Sequence, residues 1–560
     1  MSAPRPFDAA ARALHWRALG EGEWDLLVIG GGVTGAGIAR DAAARGLRVA
    51  LVEAGDWGQG TSSRSSRLIH GGLRYLQNRD LSLVFEASSE RRRLLALAPH
   101  LVHPLRFLFP VFEWGVGFRT LQAGMWLYDA LSLFRNIGRH QMLDAQEIAR
   151  QEPGLRQQDL RGGALYYDAW VDDARLTLAT AVDAHRRGAA TVSYAPVTEF
   201  LRDVTGVRGA RVRDVLSGAE VEVRAALIIN ATGPWCDVLR RMADPAVAPR
   251  LRPTKGVHIV LRRERLDNQH AITFESPLDG RVMFVLPWGR FSYVGTTDTD
   301  YDGSPRDAVA DREDVEYLLA SANAIFPRAR LETGDVVSSW AGLRPLLVPD
   351  AEDPVSEGRT SREHAIWRDP AGLLNVAGGK LTTFRVMAAE AVDAAAKILR
   401  EERSLTVPAS PTEGLPLPGA PDEPWDHFRE RMLARARGVG LSQEQADHLL
   451  RAYGTATVDL LGAVQENPTM GEPIVAELPY IRAELAHVVQ REMTLTLEDA
   501  LQRRLHLLYE AEDGGMSVAR GVAELLAREP NLGWDDAEIQ RQLAAYRATV
   551  AEALSFRPPA

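Results

Sequence analysis

The sequence predicts an α/β protein with an inserted mixed β domain and a separate all-α domain at its C-terminal end. Three observations predict this fold class. A glycine-rich turn stands between two short apolar runs near residue 30, β-type runs alternate with glycine turns up to about residue 400, and the pattern after residue 425 is helical. At about 150 residues per unit, a chain of 560 residues is long enough for three to four domain-sized units.

Composition excludes several classes of protein. The formal net charge is −10, from 65 Lys and Arg against 75 Asp and Glu, and no nucleic-acid partner is expected because such proteins present a cationic surface. Cys236 is the only cysteine, which excludes intramolecular disulfides, a CxxC redox pair and cysteine-ligated zinc or iron–sulfur sites. No metal site is predicted, and any redox chemistry has to use an organic cofactor.

The first 24 residues are a polar, alanine-rich extension without the apolar stretch of a signal peptide. Phe7, Ala10, Leu14 and Ala18 stand at helical spacing and predict a short helix, either packed on the main domain or touching a membrane surface. The apolar residues 107–134 are interrupted by proline, glycine and charged residues, so they do not predict a membrane-spanning helix. We therefore expect a soluble or membrane-surface protein.

A complete βαβ unit begins the main domain. Residues 26–29 form an apolar run of buried-strand type, residues 36–45 have a helical pattern, and residues 49–52 form a second apolar run that ends at Glu53. The order of strand, glycine turn, helix and second strand makes this a Rossmann-like dinucleotide-binding unit.

The glycines of this unit each have a physical role. Gly30 makes the tight turn, Gly32 lets the backbone approach a pyrophosphate at the helix N-terminus, and Gly35 allows close packing of helix on strand. Glu53 lies 23 positions after Gly30, where an acidic side chain accepts hydrogen bonds from an adenosine ribose. Because an acid disfavours a ribose 2′-phosphate, the ligand is predicted to be FAD or NAD rather than NADP.

Three later segments favour FAD over NAD. Residues 60–66 are rich in hydroxyl groups suited to phosphates and a ribityl chain, and residues 227–233 form a strand that runs into a small-residue turn. Residues 373–383 form another strand and a turn before an alanine-rich helix. The start of that helix is placed to direct N–H groups at the flavin N1/O2 edge, where negative charge develops on reduction.

The motifs that carry these features are long and ordered: Thr61-Ser62-Ser63, residues 68–75, residues 230–235, residues 295–298 and residues 378–383. From about Asp25 to Arg400 the chain resembles the FAD-dependent glycerol-3-phosphate dehydrogenases of the aerobic, quinone-linked type, and the helices around Glu498 and Arg503 also fit. The resemblance implies a glutathione-reductase-like FAD-binding domain with non-covalent FAD. It also implies oxidation of sn-glycerol 3-phosphate to dihydroxyacetone phosphate by hydride transfer to flavin N5, with electrons passed to a membrane quinone.

The predicted organisation has five parts, one of which is discontinuous. Residues 1–24 are an N-terminal extension, residues 25–255 and 345–400 form a discontinuous FAD-binding domain with a helical cap segment near 100–145, residues 256–344 form a substrate-binding β domain, residues 401–424 are a proline-rich linker, and residues 425–560 form the C-terminal helical domain.

The residues expected to contact FAD belong to the glycine turn, the hydroxyl-rich segment and the flavin-side turns. They are Gly30, Gly32, Gly35, Glu53, Thr61, Ser62, Ser63, His70, Gly71, Leu73, Val197, Ala231, Thr232, Gly233, Trp235, Gly342, Gly379, Leu381, Thr382 and Thr383.

Candidate substrate-binding cations follow from position in glycine-rich, flavin-side segments. They are Arg74, Arg344, Arg362 and Lys380, with Tyr75 as a further contact or a packing residue. The planar fork of arginine suits bidentate binding of phosphate, whereas lysine acts as a compact charge. Arg344 and Lys380 are also candidate catalytic residues, Arg344 as a stabiliser of the developing alkoxide because it stays protonated.

His258 is the candidate general base, in a motif that the resemblance places at the mouth of the substrate cavity. Its imidazole is expected to titrate near working pH. A histidine flanked by apolar residues can also be a core residue, and this alternative stays open. His70 is expected to contact the flavin rather than to accept a proton.

Other functions and partners stay open at this point. An oxidase that uses O2 and releases H2O2, an amine oxidase of the same superfamily, and a flavin-binding scaffold without turnover are the alternatives. Residues 107–134 can face lipid, cap the substrate cavity or lie in a homodimer interface. Membrane quinone as acceptor implies a cytoplasmic protein that is peripheral on the inner face of the cell membrane.

Overall fold

The structure, a computed structural model, describes residues 6–72, 81–131, 137–204, 206–348 and 364–557. Its helices are α1 (Ala9–Leu19), α2 (Val33–Ala44), α3 (Leu81–Leu97), α4 (Phe118–Leu131), α5 (Ala145–Gln151), α6 (Asp173–Arg186), α7 (Cys236–Ala243), α8 (Arg263–Leu266), α9 (Arg312–Ile325), α10 (Phe384–Arg403), α11 (Trp425–Gly438), α12 (Gln443–Tyr453), α13 (Thr457–Glu466), α14 (Ala483–Arg491), α15 (Leu507–Glu510), α16 (Met516–Leu526) and α17 (Asp536–Ala553).

The strands are β1 (Glu23–Ile29), β2 (Val49–Val52), β3 (Leu68–Ile69), β4 (Val102–Phe112), β5 (Gln141–Leu143), β6 (Leu160–Val171), β7 (Ala190–Val192), β8 (Val197–Asp203), β9 (Gly206–Arg213), β10 (Glu220–Asn230), β11 (Leu251–Arg262), β12 (Ala271–Glu275), β13 (Val282–Trp288), β14 (Phe291–Gly295), β15 (Thr299–Asp300), β16 (Val336–Leu347), β17 (His364–Arg368) and β18 (Leu374–Gly378). Short 3-10 turns include Thr61–Ser63, Gly233–Trp235 and Leu381–Thr383, and Asp499–Arg504 is a π-helical turn.

The first sheet is the dinucleotide-binding layer. Its order is β17-β18-β10-β1-β2-β7, with β9 paired to β10 and β8 to β9. The strands from β18 to β7 are parallel, and β17 is antiparallel to β18. Helix α2 connects β1 to β2 and contacts α6 and α10. The predicted βαβ unit is confirmed, because β1, α2 and β2 follow each other as the apolar runs indicated.

The second sheet has the order β15-β11-β14-β13-β12-β4-β6-β3, with β16 paired to β11 and β5 to β6. Its pairs are antiparallel except for β4 with β12. Strands β3 to β6 belong to the segment that the sequence assigned to the FAD-binding domain, and β4 lies where a helical cap was expected. The apolar residues at the end of β4 are buried because both faces of the strand are covered: alternate residues belong to two different hydrophobic cores. In the cap segment, α4 and α5 are helical.

Helix α1 packs on the first sheet beside β7. Arg12 Nε donates to the Ser193 carbonyl at 2.9 Å, and Arg12 Nη2 lies 2.7 Å from Asp214 Oδ1. Phe7, just before the helix, is buried. The predicted helix therefore lies on the main domain rather than free of it.

The proline-rich segment between α10 and α11 is bound to the main domain along its length. Arg40 Nη2 donates to the Leu415 carbonyl at 2.7 Å, and the Leu417 N–H donates to the Leu97 carbonyl at 2.8 Å. The segment is extended as proline predicts, but these contacts hold it in place, so it is not a free linker.

The C-terminal domain consists of α11 to α17. Helices α14 to α17 share one hydrophobic core with the second sheet, and α11 to α13 form a smaller core with α14. Buried ion pairs add to this contact: Asp56 Oδ2 lies 2.5 Å from Arg503 Nε and 2.7 Å from Arg504 Nη1, and Arg175 Nη2 lies 2.6 Å from Glu492 Oε1. Within the described ranges, no helix is both long and apolar enough to cross a membrane.

Candidate active site

A cavity of about 570 Å³ is lined by strands of both sheets, by the segment after Gly60 and by α4. Its apolar wall includes Phe107, Phe109, Leu121, Leu127 and Phe284. Parts of residues 107–134 therefore line the cavity, which is one of the three roles left open for that segment. The predicted site residues that reach the wall are Thr61, His70, His258, Gly342, Arg344, Gly379, Lys380, Leu381 and Thr382.

The glycine turn after β1 leaves no room for side chains. Gly30 has φ +110°, and a Cβ there would lie 2.6 Å from the Ala231 carbonyl oxygen. A Cβ on Gly35 would lie 1.8 Å from the Gly30 carbonyl oxygen. Gly32 is the N-cap of α2 and offers no side-chain cap to that helix. A helix that begins at a glycine N-cap lets a pyrophosphate come close to its N-terminus.

Glu53, at the end of β2, spans the glycine turn. Its Oε2 accepts from the Gly31 N–H at 2.5 Å, and its Oε1 accepts from the Gly55 N–H at 2.8 Å. Burial raises the pKa of Glu53, and these backbone donors oppose that shift. Val197, the first residue of β8, is half-buried and follows Ala195, whose N–H donates to the Glu53 carbonyl at 2.7 Å.

The hydroxyl-rich segment meets the start of α2. Ser62 Oγ accepts from the Val33 N–H at 2.9 Å, and Thr61 Oγ1 donates to the Leu343 carbonyl at 2.6 Å. Ser63 Oγ is buried and has no hydrogen-bond partner in the part of the chain that the structure describes. A buried hydroxyl without a partner is costly unless a ligand uses it.

The flavin-side turns have left-handed glycines. Gly378 and Gly379 both have φ +79°, and a Cβ on Gly379 would lie 2.4 Å from Met387 Sδ. The His70 N–H donates to Thr382 Oγ1 at 3.1 Å, which joins the turn after β3 to the turn before α10.

The other glycines predicted to contact flavin have little free space, with one exception, and Gly342 lies on β16 rather than in a turn. A Cβ on Gly71 would lie 2.4 Å from the Tyr128 hydroxyl, and one on Gly342 would lie 2.5 Å from the Arg64 carbonyl. The exception is Gly233, where φ is +55° and a Cβ would meet no atom within 4 Å. The remaining predicted contacts in these turns are Ala231, Thr232, Trp235 and Thr383. The turns, the glycine N-cap of α2 and the Ser63 hydroxyl, which has no partner among the described residues, all fit FAD.

His258 lies on β11 at the cavity wall and is 3% exposed. Its Nε2 is 2.9 Å from Ser66 Oγ, and its ring stacks on Trp340 with centroids 5.0 Å apart. Burial, together with the Arg344 and Arg67 cations, lowers the pKa of His258 to about 3. This pKa lies below the range near working pH that the sequence predicted, because the imidazole is buried beside two positive charges. The ring is neutral at neutral pH and can accept a proton.

Arg344, on β16, is held in one orientation. Its Nη1 lies 2.9 Å from Asp298 Oδ1, and its Nη2 donates to Thr296 Oγ1 and to the Thr297 carbonyl, both at 3.0 Å. Gly256 faces it, and a Cβ there would lie 2.5 Å from Arg344 Nη2. These contacts fix the guanidinium at the cavity wall, with the Asp298 carboxylate beside it.

Lys380 lines the cavity at the turn between β18 and α10. Arg64 and Arg281 also line it, and the sequence analysis gave them no role. Arg64 and Ser66 belong to the hydroxyl-rich segment, so their position was a usable signal. Arg281 lies in the β12–β13 connection, where no local pattern distinguishes it from a surface arginine.

Four predicted residues lie outside the described ranges: Leu73, Arg74, Tyr75 and Arg362. Their predicted roles in binding flavin or substrate stay predictions.

The chain matches two family models. The model described as FAD dependent oxidoreductase matches residues 25–394, and the model described as C-terminal domain of alpha-glycerophosphate oxidase matches residues 410–539. The fold and the site thus define an FAD-dependent oxidoreductase, and the predicted fold class and the prediction of FAD are confirmed.

Named relatives narrow this class. The chain is 41% identical to glycerol-3-phosphate dehydrogenase 2 of Mycobacterium tuberculosis over 98% of its own length and 92% of the relative. It is 38% identical to aerobic glycerol-3-phosphate dehydrogenase of Staphylococcus haemolyticus over 90% of its own length and 91% of the relative. The solved structure of the Bacillus halodurans glycerol-3-phosphate dehydrogenase complexed with FAD is similar with a TM-score of 0.82 and 31% identity, over 99% of this chain and 100% of that chain. The chain belongs to the family of FAD-dependent glycerol-3-phosphate dehydrogenases.

Proposed function

We propose that the protein oxidises sn-glycerol 3-phosphate to dihydroxyacetone phosphate by hydride transfer to flavin N5 and passes the electrons to a membrane quinone. The observation that carries the proposal is the grouping of a fixed arginine, a lysine and a neutral histidine at the wall of one cavity, next to turns that fit FAD. A phosphate monoester of a small alcohol needs cations for its dianion and a base for its hydroxyl.

Arg344 and Lys380 bind the phosphate in this scheme. Asp298, Thr296 and Thr297 fix the guanidinium of Arg344, so little conformational entropy is lost when the anion binds. A carboxylate substrate carries one negative charge, whereas a phosphate monoester carries close to two at neutral pH. The cations at this wall therefore support a phosphate better than the carboxylate of an amino acid.

His258 accepts the hydroxyl proton at Nε2, the nitrogen that Ser66 Oγ contacts at the cavity wall. Arg344, which lowers this pKa more than Arg67 does, is also one of the two residues that would bind the phosphate. A bound dianion offsets the charge of Arg344 and raises the proton affinity of the imidazole, so His258 becomes a stronger base when substrate is present.

FAD supplies the two-electron acceptor. It would be held by the glycine turn, Glu53, the hydroxyl-rich segment and the flavin-side turns.

The proposed contact with a membrane uses α4 and the turn before it. Trp114, Trp126 and Leu127 are 41%, 55% and 41% exposed, although they are large and apolar. Such side chains near the mouth of a redox site suit a surface that meets lipid and a lipid-soluble quinone. Retention of the enzyme on membranes through a salt wash, and its loss from them in a Trp126→Ser variant, would test this part.

A substrate panel tests the proposed function. Purified holoenzyme should reduce an artificial electron acceptor with sn-glycerol 3-phosphate and show at least about a hundredfold lower kcat/KM with glycerol, because the phosphate contacts are missing. Oxidation of glycine, D-alanine or L-proline instead would favour an amine oxidase. Under air, a quinone analogue should outcompete O2, and stoichiometric H2O2 in its presence would assign an oxidase.

A further inference from the structure

Arg67 is a fully buried cation next to the candidate base. The residue is 1% exposed, and none of its three guanidinium nitrogens has a hydrogen-bond partner within the described ranges. Its nearest carboxylate oxygen is Asp173 Oδ1, at 3.7 Å from Nε. Asp173 and Asp172 raise the pKa of Arg67, but burial of a guanidinium without hydrogen bonds is costly and needs a reason.

Aromatic rings take the place of hydrogen-bond partners around this guanidinium. Arg67 Cζ lies 4.1 Å from the ring centroid of Trp288, 4.9 Å from that of Trp340 and 5.9 Å from that of Tyr509. Cation–π attraction of this kind is strongest when the charge is desolvated. The rings come from β13, β16 and α15, so the C-terminal domain completes this aromatic cage.

Two contacts connect the cage to His258. Trp340, one wall of the cage, stacks on the imidazole with an interplanar angle of 16°. Ser66, the residue before Arg67, contacts His258 Nε2 at 2.9 Å. The backbone of residues 65–67 is held as well. Ser65 Oγ accepts from the Arg67 N–H and donates to Asp173 Oδ2 at 2.7 Å.

We propose that Arg67 is a positioning residue for this site: its side chain fixes the contact between Ser66 and His258, and its buried charge keeps the imidazole in the neutral, proton-accepting form until an anion binds. The catalytic part of this proposal rests on the proposed function. The C-terminal domain takes part by closing the cage with Tyr509 and by holding Asp172 through His506, whose Nε2 lies 2.6 Å from Asp172 Oδ2.

The charged and titratable groups around His258 come from every element packed against it. They are Arg67 just before β3, Arg344 with its partner Asp298, Tyr293 from β14 and, behind Arg67, Asp172, Asp173, His506, Tyr509 and Glu510, whose pKa is raised by burial to about 7. Arg344 has a carboxylate at 2.9 Å, whereas the carboxylate nearest to Arg67 is at 3.7 Å. Asp172 and Asp173 both act on Arg67 and raise its pKa, and of the two cations that lower the pKa of His258, Arg67 has the smaller effect and Arg344 the larger.

The experiment measures the rate at which saturating sn-glycerol 3-phosphate reduces the flavin under anaerobic conditions. A pH-jump stopped-flow instrument sets the final pH to a series of values from 4.5 to 9. In wild type, the reduction rate should fall at low pH as His258 becomes protonated, and this fall is the acid limb of the pH profile. We expect Arg67→Met and Arg67→Gln to move the acid limb to higher pH by about one unit or more, because one of the two cations near His258 is gone. Arg67→Lys retains the charge and should keep the limb at the wild-type position. His258→Gln should abolish the limb, which assigns it to the imidazole.

Arg175→Met is the matched control. Arg175 is also buried, lies 4.3 Å above the ring of Tyr453 and pairs with Glu492, and it is not among the charges that lower the pKa of His258. Its loss should leave the limb unchanged. A limb at the same pH in wild type and both neutral variants, or one moved equally by Arg67→Lys, would overturn the proposal.

If the wild-type flavin is not reduced at all, it is the proposed function that fails. The claim about Arg67 is then decided by the His258 ¹³Cε1 resonance, assigned with His258→Gln. This resonance should titrate at higher pH in both neutral variants than in wild type, and equal titration would overturn the proposal.

Discussion

At the scale of single residues, the phosphate end of the cavity depends on Arg344. Lysine there cannot contact Asp298 and Thr296 while also facing the cavity, because it has one nitrogen instead of a fork. We expect Arg344→Lys to raise KM for glycerol 3-phosphate by about tenfold or more, with FAD content unchanged. Steady-state kinetics and the flavin absorbance of the purified protein measure both quantities.

Arg252→Lys is the control for that substitution. Arg252 is an exposed arginine on β11 that pairs with Asp300 at 2.6 Å, and it does not line the cavity. Its replacement should leave KM unchanged. An unchanged KM in Arg344→Lys would remove Arg344 from phosphate binding.

The sequence predicted several residues that line the cavity, but it did not predict which residues contact each other there. His258, Arg344 and Lys380 were named from local motifs, and all three reach one cavity. The contact between Ser66 and His258 joins positions 192 apart in the chain, and no local pattern encodes it. For the same reason the low pKa of His258 could not be foreseen, since it depends on burial and on cations brought in by folding.

At the scale of elements, α2 approaches β1 through Gly35. A methyl group there would lie 1.8 Å from the Gly30 carbonyl oxygen, so Gly35→Ala has to push the helix away from the glycine turn. We expect bound FAD to fall about tenfold or more and the unfolding free energy to drop by about 1–3 kcal/mol. The absorbance ratio of flavin to protein and chemical denaturation measure these changes.

Gly521→Ala, in the exposed part of α16, is the matched control, because a Cβ there meets no atom within 4 Å. It should keep full FAD content and be neutral or stabilising, since alanine favours helix over glycine. Normal FAD content in Gly35→Ala would contradict the predicted role of the glycine turn.

Elements whose partners are near in sequence were predictable, and those with distant partners were not. The βαβ unit from β1 to β2 lies within 30 residues and was predicted nearly to its bounds. Strand β4 pairs with β6 and, more than 150 residues later, with β12. Its apolar end shows no alternation because both faces are covered, and such a run is hard to tell from a buried helix.

At the scale of the whole molecule, buried histidines couple stability to pH. His100 and His258 are buried and His103 is half-buried, and desolvation lowers the pKa of each to about 3. In the unfolded chain these groups titrate near pH 6.5, so between pH 6.5 and 3 the unfolded state binds more protons. Their contribution is complete above pH 6.5 and is lost as the pH falls, by up to about 1.4 kcal/mol per pH unit for each histidine.

We therefore expect the urea midpoint to fall steeply from pH 6.5 to pH 4.5. His103 lies at the start of β4 and stacks on Trp170, and its substitution tests this pH dependence. His103→Gln should flatten this pH dependence, whereas the exposed His427→Gln should not change it. A slope in His103→Gln as steep as in wild type would show that His103 does not carry the coupling.

The central claim is that the cavity oxidises glycerol 3-phosphate with FAD. Anaerobic titration of the holoenzyme with sn-glycerol 3-phosphate, followed by flavin absorbance near 450 nm, tests it most directly. The flavin band should bleach at close to one equivalent of substrate per FAD, and His258→Ala should retain its FAD but bleach about a hundredfold or more slowly. A flavin that stays oxidised in wild-type enzyme after a large excess of sn-glycerol 3-phosphate would contradict the account.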